Sequence, residues 1–299
     1  MRRARSTVWY ARGGEGLKLP PVAYWLATLA AVFYGAADFT GGMVTRRVAT
    51  IPVVLLSQAV GLVMVAVILP FLGTVPQAAD LWWGALAGLA GGVGVGLLYR
   101  ALAVGTMSVV APTTAVLAVA IPVVASIALG ERPGSLAVAG ILLGIASIAL
   151  VSRPTVSAET VARPSGLGIA FVAGIAIGLF LLALAQARPT SGLWPLLTAR
   201  LASVTLFAVV AAIGRRSVRM PARFAAIAVG GGALDMLANT LYLLAAQIGP
   251  LSPVVTLSSL YPASTVLLAR GVLGERLNGW QTTGVVAALV AVLLIVSGG

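Results

Sequence analysis

The chain contains no cysteine and no histidine. Without cysteine it can form no disulfide and offers no thiol nucleophile. Without histidine it has no imidazole base, and most zinc sites lose their ligands. Charge is scarce as well. Only 9% of the residues are charged, against roughly 25% in an ordinary soluble protein. Seven carboxylates are present: Glu15, Asp38, Asp80, Glu131, Glu159, Asp235 and Glu275. A membrane-embedded enzyme needs a clustered acid, base or metal set. Asp38 and Asp235, the two carboxylates well inside hydrophobic segments, do not supply one. No catalytic residue, metal site or cofactor is therefore expected. There is no phosphate-binding loop, so ATP-driven transport by this chain alone is not expected either.

What is abundant is apolar surface. Sixty per cent of the residues are hydrophobic, and the chain reads as an integral membrane protein. Its net charge is +12, with Lys18 the single lysine among nineteen basic residues. Nucleic acid is one partner for such a charge. The arginines, however, sit in the N-terminal tail and at helix ends, where anionic lipid headgroups are the simpler partner. The bias to Arg, Ala and Gly points to a GC-rich bacterial genome and a cytoplasmic membrane.

Residues 1–21 form a polar, arginine-rich tail. It reads as the charged flank of a first membrane segment rather than a cleaved signal peptide, because residues 22–42 have a repeat partner near 166–187. A transmembrane helix needs about 20 apolar residues. Ten candidate segments follow, at roughly 22–42, 52–72, 79–100, 107–129, 134–151, 166–187, 193–213, 224–247, 251–271 and 279–297. Turn chemistry separates them, as at Thr50-Ile51-Pro52, Arg132-Pro133-Gly134 and Asn278-Gly279. Residues 152–165 are the linker.

The segments repeat. Leu129-Gly130-Glu131-Arg132 returns as Leu273-Gly274-Glu275-Arg276, an offset of 144 residues. Gly105, Ser108 and Gly140 return as Gly249, Ser252 and Gly284, while Gly35 and Pro52 return as Gly178 and Pro195. Residues 22–151 and 166–297 are thus predicted to be two copies of one five-helix unit. Five is odd, so the second copy enters the membrane from the opposite side. The predicted fold is an all-α integral membrane protein of ten transmembrane helices in two inverted five-helix repeats, an architecture common among secondary transporters. Orientation stays open. A cytoplasmic N-terminus places seven basic residues inside and eleven outside, against the positive-inside rule.

Three phrases carry a resemblance: Tyr99-Arg100-Ala101-Leu102-Ala103-Val104-Gly105, then Ser108-Val109-Val110-Ala111-Pro112, then Leu129-Gly130-Glu131-Arg132. With their second copies (Leu241-Tyr242 through Gly249, Ser252-Pro253, and Leu273 to Arg276) they resemble the EamA-like domain of the drug/metabolite transporter superfamily. The resemblance covers residues 22–297 in two copies. It implies ten helices, cytoplasmic termini, and transport of small metabolites or drugs, often outward. It implies no particular substrate, and the arginine distribution departs from the charge pattern it implies.

Several motifs bear on the site. Gly84, Gly88, Gly92 and Gly96 recur every four residues and make a smooth ridge for close helix packing; a phosphate loop would need a strand before it and a lysine within it. In the Gly-Glu-Arg phrases, the glycine ends a helix in the left-handed conformation and the glutamate faces the start of the next helix. A structural turn and a gate at the membrane surface are the two readings. Prolines interrupt equivalent helices, Pro112 and Pro122 in the fourth and Pro253 and Pro262 in the ninth, and broken helix in a membrane lines protein or water. Hydroxyls flank them: Thr113 and Thr114 in one half, Thr256, Ser258, Ser259 and Tyr261 in the other. Kinked packing without a ligand is the plainer alternative.

Polar residues at depth mark cavities or partners. Asp235, Asn239 and Tyr242 follow at i, i+4 and i+7, and so share a helix face. Arg200 lies at a comparable depth in the seventh segment, within reach of Asp235 or Asn239. Asp38 and Gln58 are polar residues of the first two segments. The candidate substrate site gathers Asp38, Tyr99, Thr113, Thr114, Asp235, Asn239, Tyr242, Ser258, Ser259 and Tyr261. Asp235 is a proton carrier, one half of a charge pair with Arg200, or a polar residue merely packed between helices. The polar lining is not duplicated, since Asp235 aligns with Gly91. The expected function is secondary transport, in the export direction, of a small organic metabolite or drug by alternating access, with proton coupling as one route. The alternative is a non-transporting membrane subunit or sensor on the same scaffold.

Overall fold

In lipid, an apolar segment satisfies its backbone only by coiling into a helix. The computed structural model of the chain describes residues 21–128, 134–151, 166–184, 186–248 and 257–298, and no strand occurs among them. The described residues form ten bounded α-helices: α1 (Pro21–Thr45), α2 (Thr50–Ile68), α3 (Ala78–Val104), α4 (Met107–Ala128), α5 (Ser135–Val151), α6 (Leu167–Leu184), α7 (Trp194–Ile213), α8 (Ala222–Ile248), α9 (Tyr261–Leu273) and α10 (Gly279–Gly298). Helices α1, α2, α3, α6, α7 and α8 are long and apolar enough to cross a membrane, and α4, α5 and α10 contain shorter apolar stretches. The core is built largely of alanine and valine, while Trp25, Val63, Trp82, Leu142, Ile213 and Leu267 point outward. That is the pattern of a bundle whose outer surface meets lipid and whose helices approach through small residues.

The proline expectation divides between the halves. Helix α4 runs unbroken through Pro112 and Pro122, because a membrane helix can re-satisfy the carbonyls that proline frees. The ninth segment does break. Residues 257–258 are helical, 259–260 form a turn, and α9 starts afresh at Tyr261. Pro262 sits in its first turn, where a missing N–H costs nothing. With 13 residues, α9 is about 20 Å long. Pro253 and Thr256, the first Gly-Glu-Arg phrase, the linker and the N-terminal tail lie outside the described residues.

Packing follows a reciprocal scheme. The first helix of each five packs on the third of the other: α1 on α8, and α6 on α3. The second of each packs on the third of the other: α2 on α8, and α7 on α3. The first packs on the fourth: α1 on α9, and α6 on α4. Helix α2 meets its own counterpart α7, and α5 meets α10. The correspondence extends to single residues. An added Cβ at Gly35 would strike the Tyr261 carbonyl and the Ser264 side chain; one at Gly178 would strike the Ala118 carbonyl and the Ile121 side chain. Positions 35 and 178, 118 and 261, and 121 and 264 all differ by 143.

Two ionic clamps join the halves at opposite ends of α3. At its start, Asp80 accepts from the Gln77 amide at 2.9 Å and from the Arg188 guanidinium at 2.7 Å. This pairing pushes the Arg188 guanidinium above its ordinary pKa. The indole N–H of Trp194 donates to the Thr74 carbonyl at the same end, at 2.8 Å. At the other end of α3, Arg46 reaches the Leu102 and Gly105 carbonyls and pairs with Glu275 at 3.1 Å. Residues 80 and 105 of one helix are about 37 Å apart at 1.5 Å per residue, enough to span the hydrocarbon core. The C-terminus of α1 therefore lies at the end of α3 opposite to the C-terminus of α6, so α1 and α6 run in opposite directions.

Glu275 corrects an expectation. Gly274 adopts φ +65°, as a helix-ending glycine should, but the carboxylate after it does not serve the next helix. It accepts from the Met107 amide at 3.0 Å and from the Ser108 amide and hydroxyl, both at 2.9 Å. It thus caps the start of α4, in the other half. The free amides of any helix start attract a carboxylate, and the packing of α9 on α4 brings that start within reach.

Candidate functional site

The polar groups at depth converge where α1, α2, α7 and α8 meet. The glycine ridge of α3 sets the position of α7: a Cβ at Gly84 would meet Thr198 and Pro195, one at Gly88 would meet the Ala199 carbonyl, and one at Gly92 would meet Ser203. That close approach fixes Arg200, on the next residue of α7. On α8, Gly231 lies against Thr40 of α1, and Gly232 against the Ser57 backbone of α2. Asp235 follows one turn later.

The Arg200 guanidinium donates to both Gln58 Oε1 and Asp235 Oδ2. Ser203 Oγ donates to the same Gln58 oxygen at 3.0 Å. The Arg200 side chain is 10% exposed and that of Asp235 19%. Asn239 is 7% exposed and donates to the Asp235 carbonyl at 2.7 Å. The pair is thus largely buried, with Asp235 the more accessible of the two partners.

A second layer surrounds the pair. Tyr34 and Asp38 share one face of α1, and the Tyr99 ring of α3 lies against Gly41, one turn after Asp38. Tyr34 and Tyr261 meet edge to face with ring centroids 6.2 Å apart. Tyr242 is partly buried beside Ala23, Ala27 and Ala245. The half-buried Ser259 occupies the turn before α9.

The other hydroxyls are engaged elsewhere. Thr113 donates to the Val109 carbonyl of its own helix at 2.9 Å. Thr114 donates to the Ala170 carbonyl of α6, and Ser258 to the Ala27 carbonyl of α1, each at 3.4 Å. All three are buried and serve helix packing. Sequence reasoning passed over Tyr34, although its i−4 spacing from Asp38 puts both on one face of α1. It also passed over Ser203, one turn beyond Arg200. An open apolar groove between α3 and α7, lined by Ala85, Leu89, Thr198 and Leu201, faces away from this chemistry. No group of three or more metal-ligating side chains occurs among the described residues.

Apolar helices around a buried ionic network define a multi-pass membrane protein with a polar interior. The chain matches the EamA-like transporter family twice, over residues 21–153 and 164–297. It belongs to that family, whose members are drug/metabolite transporter-type membrane proteins. No curated protein sequence matches the chain. Among solved structures, a crystal structure described only as that of a protein is similar with a TM-score of 0.59 at 17% identity, over 91% of this chain and 95% of the other. At that identity the likeness is one of fold.

Proposed function

We propose that the chain is a secondary transporter that moves a small organic metabolite or drug across the cytoplasmic membrane by alternating access, in the export direction. In this reading ten helices cross the membrane as two inverted repeats, 22–151 and 166–297, joined by the linker 152–165. The observation that carries it is the reciprocal packing of the two sets of five helices around a polar cluster that is not reciprocal. A near-symmetric scaffold can take two arrangements of similar energy related by its pseudo-two-fold axis, and an asymmetric lining gives it something specific to bind. The cluster of Asp38, Tyr99, Arg200, Asp235, Asn239, Tyr242, Ser259 and Tyr261 is the proposed substrate site. Asp235, held by Arg200, orients the site rather than carrying a proton. The clamps at Asp80 and Glu275 are the proposed gates, one for each membrane face.

The absence of cysteine makes the test direct. Ser259→Cys is reconstituted in vesicles and labelled with a membrane-impermeant maleimide from either side. Alternating access expects labelling from both sides, and faster labelling from one side when the opposite clamp is opened by Asp80→Asn or Glu275→Gln. Exchange of labelled metabolites and drugs across the same vesicles, with and without a pH gradient, reads transport and its coupling. Labelling from one side only in every variant, with no exchange, would favour a non-transporting subunit and overturn the proposal.

A further inference from the structure

The groove between α3 and α7 lies on the lipid side of the bundle, away from the ionic network. Its cause is local. Gly84, Gly88 and Gly92 let α3 press against the backbone of α7. Small side chains, Ala85 and Ala202, stand along the outer edge of that seam, and the exposed Leu89 and Leu201 wall it. On α7 the stripe runs through Thr198, Ala202 and Val209, at i, i+4 and i+11 on one helix face. From Thr198 to Val209 it is about 16 Å long at 1.5 Å per residue. One leaflet of a hydrocarbon core about 30 Å thick has a depth of about 15 Å. The groove has a volume of about 480 Å³, within the range of about 300–1,000 Å³ that small-ligand sites occupy.

One end of the groove is basic. Helices α3 and α7 run parallel, since Gly88 meets Ala199, Gly92 meets Ser203 and Gly96 meets Phe207. Arg100 is therefore level with the last turn of α7. It follows Leu89 by eleven residues, about three turns, and so continues the groove face of α3. Arg215 and Arg216 follow the end of α7 at Ile213. The chain turns sharply there: Arg215 takes φ +46°, the Arg216 amide donates to the Ala211 carbonyl at 2.9 Å, and the Arg216 side chain folds back over Gly214. Arg100, Arg215 and Arg216 are exposed, and none is in an ion pair among the described residues. Glu275, the one described carboxylate at this face, is spent on Arg46 and the start of α4. The counter-charge must come from outside the described chain. A guanidinium matches the geometry of a phosphate group, and basic sites between membrane helices suit anionic headgroups. A zwitterionic lipid brings its own cation to the arginines. A second copy inserted the same way up brings like charges against them.

We propose that the α3–α7 groove binds one anionic phospholipid of the surrounding bilayer, an acyl chain along Ala85 and Ala202 and the phosphate on Arg100, Arg215 and Arg216. The site is independent of the transport reading. Its consequence is mechanical: the lipid covers the seam that sets the position of α7, the helix that carries Arg200.

The test uses the full chain purified in detergent. It is titrated with dioleoylphosphatidylglycerol, dioleoylphosphatidylcholine and inorganic phosphate. Native mass spectrometry counts the bound lipid, and thermal unfolding follows the same titrations. The first phosphatidylglycerol should bind about tenfold or more tighter than phosphatidylcholine, the product expected of two or more arginines at the headgroup, and should raise the unfolding midpoint; inorganic phosphate should not raise it. Arg100→Gln and Arg216→Gln should each weaken that binding on the order of fivefold, the contribution of one basic residue near a membrane surface. Arg270→Gln, an equal loss of charge at the same face on α9, should leave it unchanged. Ala202→Phe fills the groove and should abolish the preference, while Ala208→Phe, exposed on α7 outside the groove, should not. Each variant is first checked for a monodisperse elution profile. The exposed arginines keep the test decisive if Ala202→Phe misfolds. Equal binding of the two lipids, or a loss in Arg270→Gln as large as in Arg100→Gln, means unspecific annular lipid and overturns the proposal. Stabilisation by inorganic phosphate equal to that by the lipid overturns it in favour of a simple anion site. A dimer that forms without lipid and is lost in Ala202→Phe overturns it in favour of a second copy of the chain.

Discussion

Replacing Asp235 by asparagine keeps the side chain's shape and removes its charge. The Arg200 guanidinium then keeps only neutral side-chain acceptors, the new carboxamide oxygen and Gln58 Oε1, and the second is already shared with Ser203. Breaking a buried ion pair from one side costs about 3–5 kcal/mol, because the other charge stays buried. Two features favour the lower end of that range: Asp235 is 19% exposed, and Gln58 is retained. We expect a loss of about 3 kcal/mol. At roughly 2–4 °C per kcal/mol for a chain of this size, the unfolding midpoint should fall on the order of 10 °C. The assay is thermal unfolding of the purified protein in detergent, followed by the fraction that stays monodisperse. Arg200→Gln in the same chain removes the stranded charge and should restore most of the loss, giving a large coupling energy in the double-mutant cycle. An unchanged midpoint for Asp235→Asn would refute the buried-pair reasoning. So would additive losses in the double variant.

Three further expectations follow from the same structure. Glu275→Gln weakens the charge-assisted cap on α4 and should destabilise the protein by about 1.5–3 kcal/mol, whereas Arg46→Gln, at the more exposed end of the pair (29% against 11%), should cost under about 1 kcal/mol; chemical unfolding of both variants separates them. Gly88→Ala would place a Cβ 2.1 Å from the Ala199 carbonyl, while Gly230→Ala meets nothing within 4 Å, so the first should displace α7 and abolish assembly of the Arg200 network and the second should be silent in the same stability assay. Asp80→Asn removes the partner of Arg188 and the carboxylate that caps α3, and limited proteolysis should cut faster at residues 186–193 than in the wild type.

The helices were legible because the bilayer leaves an apolar segment so few options. The duplication was legible because glycines at helix contacts recur at a constant offset, and Gly35 and Gly178 do make corresponding contacts. The Arg200–Asp235 contact could be anticipated from depth along two neighbouring helices. Partners that depend on how distant segments cross could not. Glu275 and Ser108 are 167 residues apart, and nothing local to either phrase announces that one caps the other. The ring of Tyr34 is not legible because an isolated tyrosine in an apolar run looks like packing, and only the fold brings it edge to face with Tyr261. Proximity to proline suggests a cavity lining for Thr113 and Thr114. A hydroxyl beside an available helical carbonyl bonds to it instead, and that choice is invisible in composition.

The cap on α4 also bears on how the protein is made. The amides of Met107 and Ser108 emerge from the ribosome long before Glu275 does. Until that carboxylate arrives, the fourth helix has an open start, and α1 and α3 lack the partners they find in α8 and α6. Assembly of the first five helices must therefore wait for the last five. A chain interrupted between them should leave an amino-terminal fragment that inserts but does not mature, and co-expression of the missing fragment should rescue it.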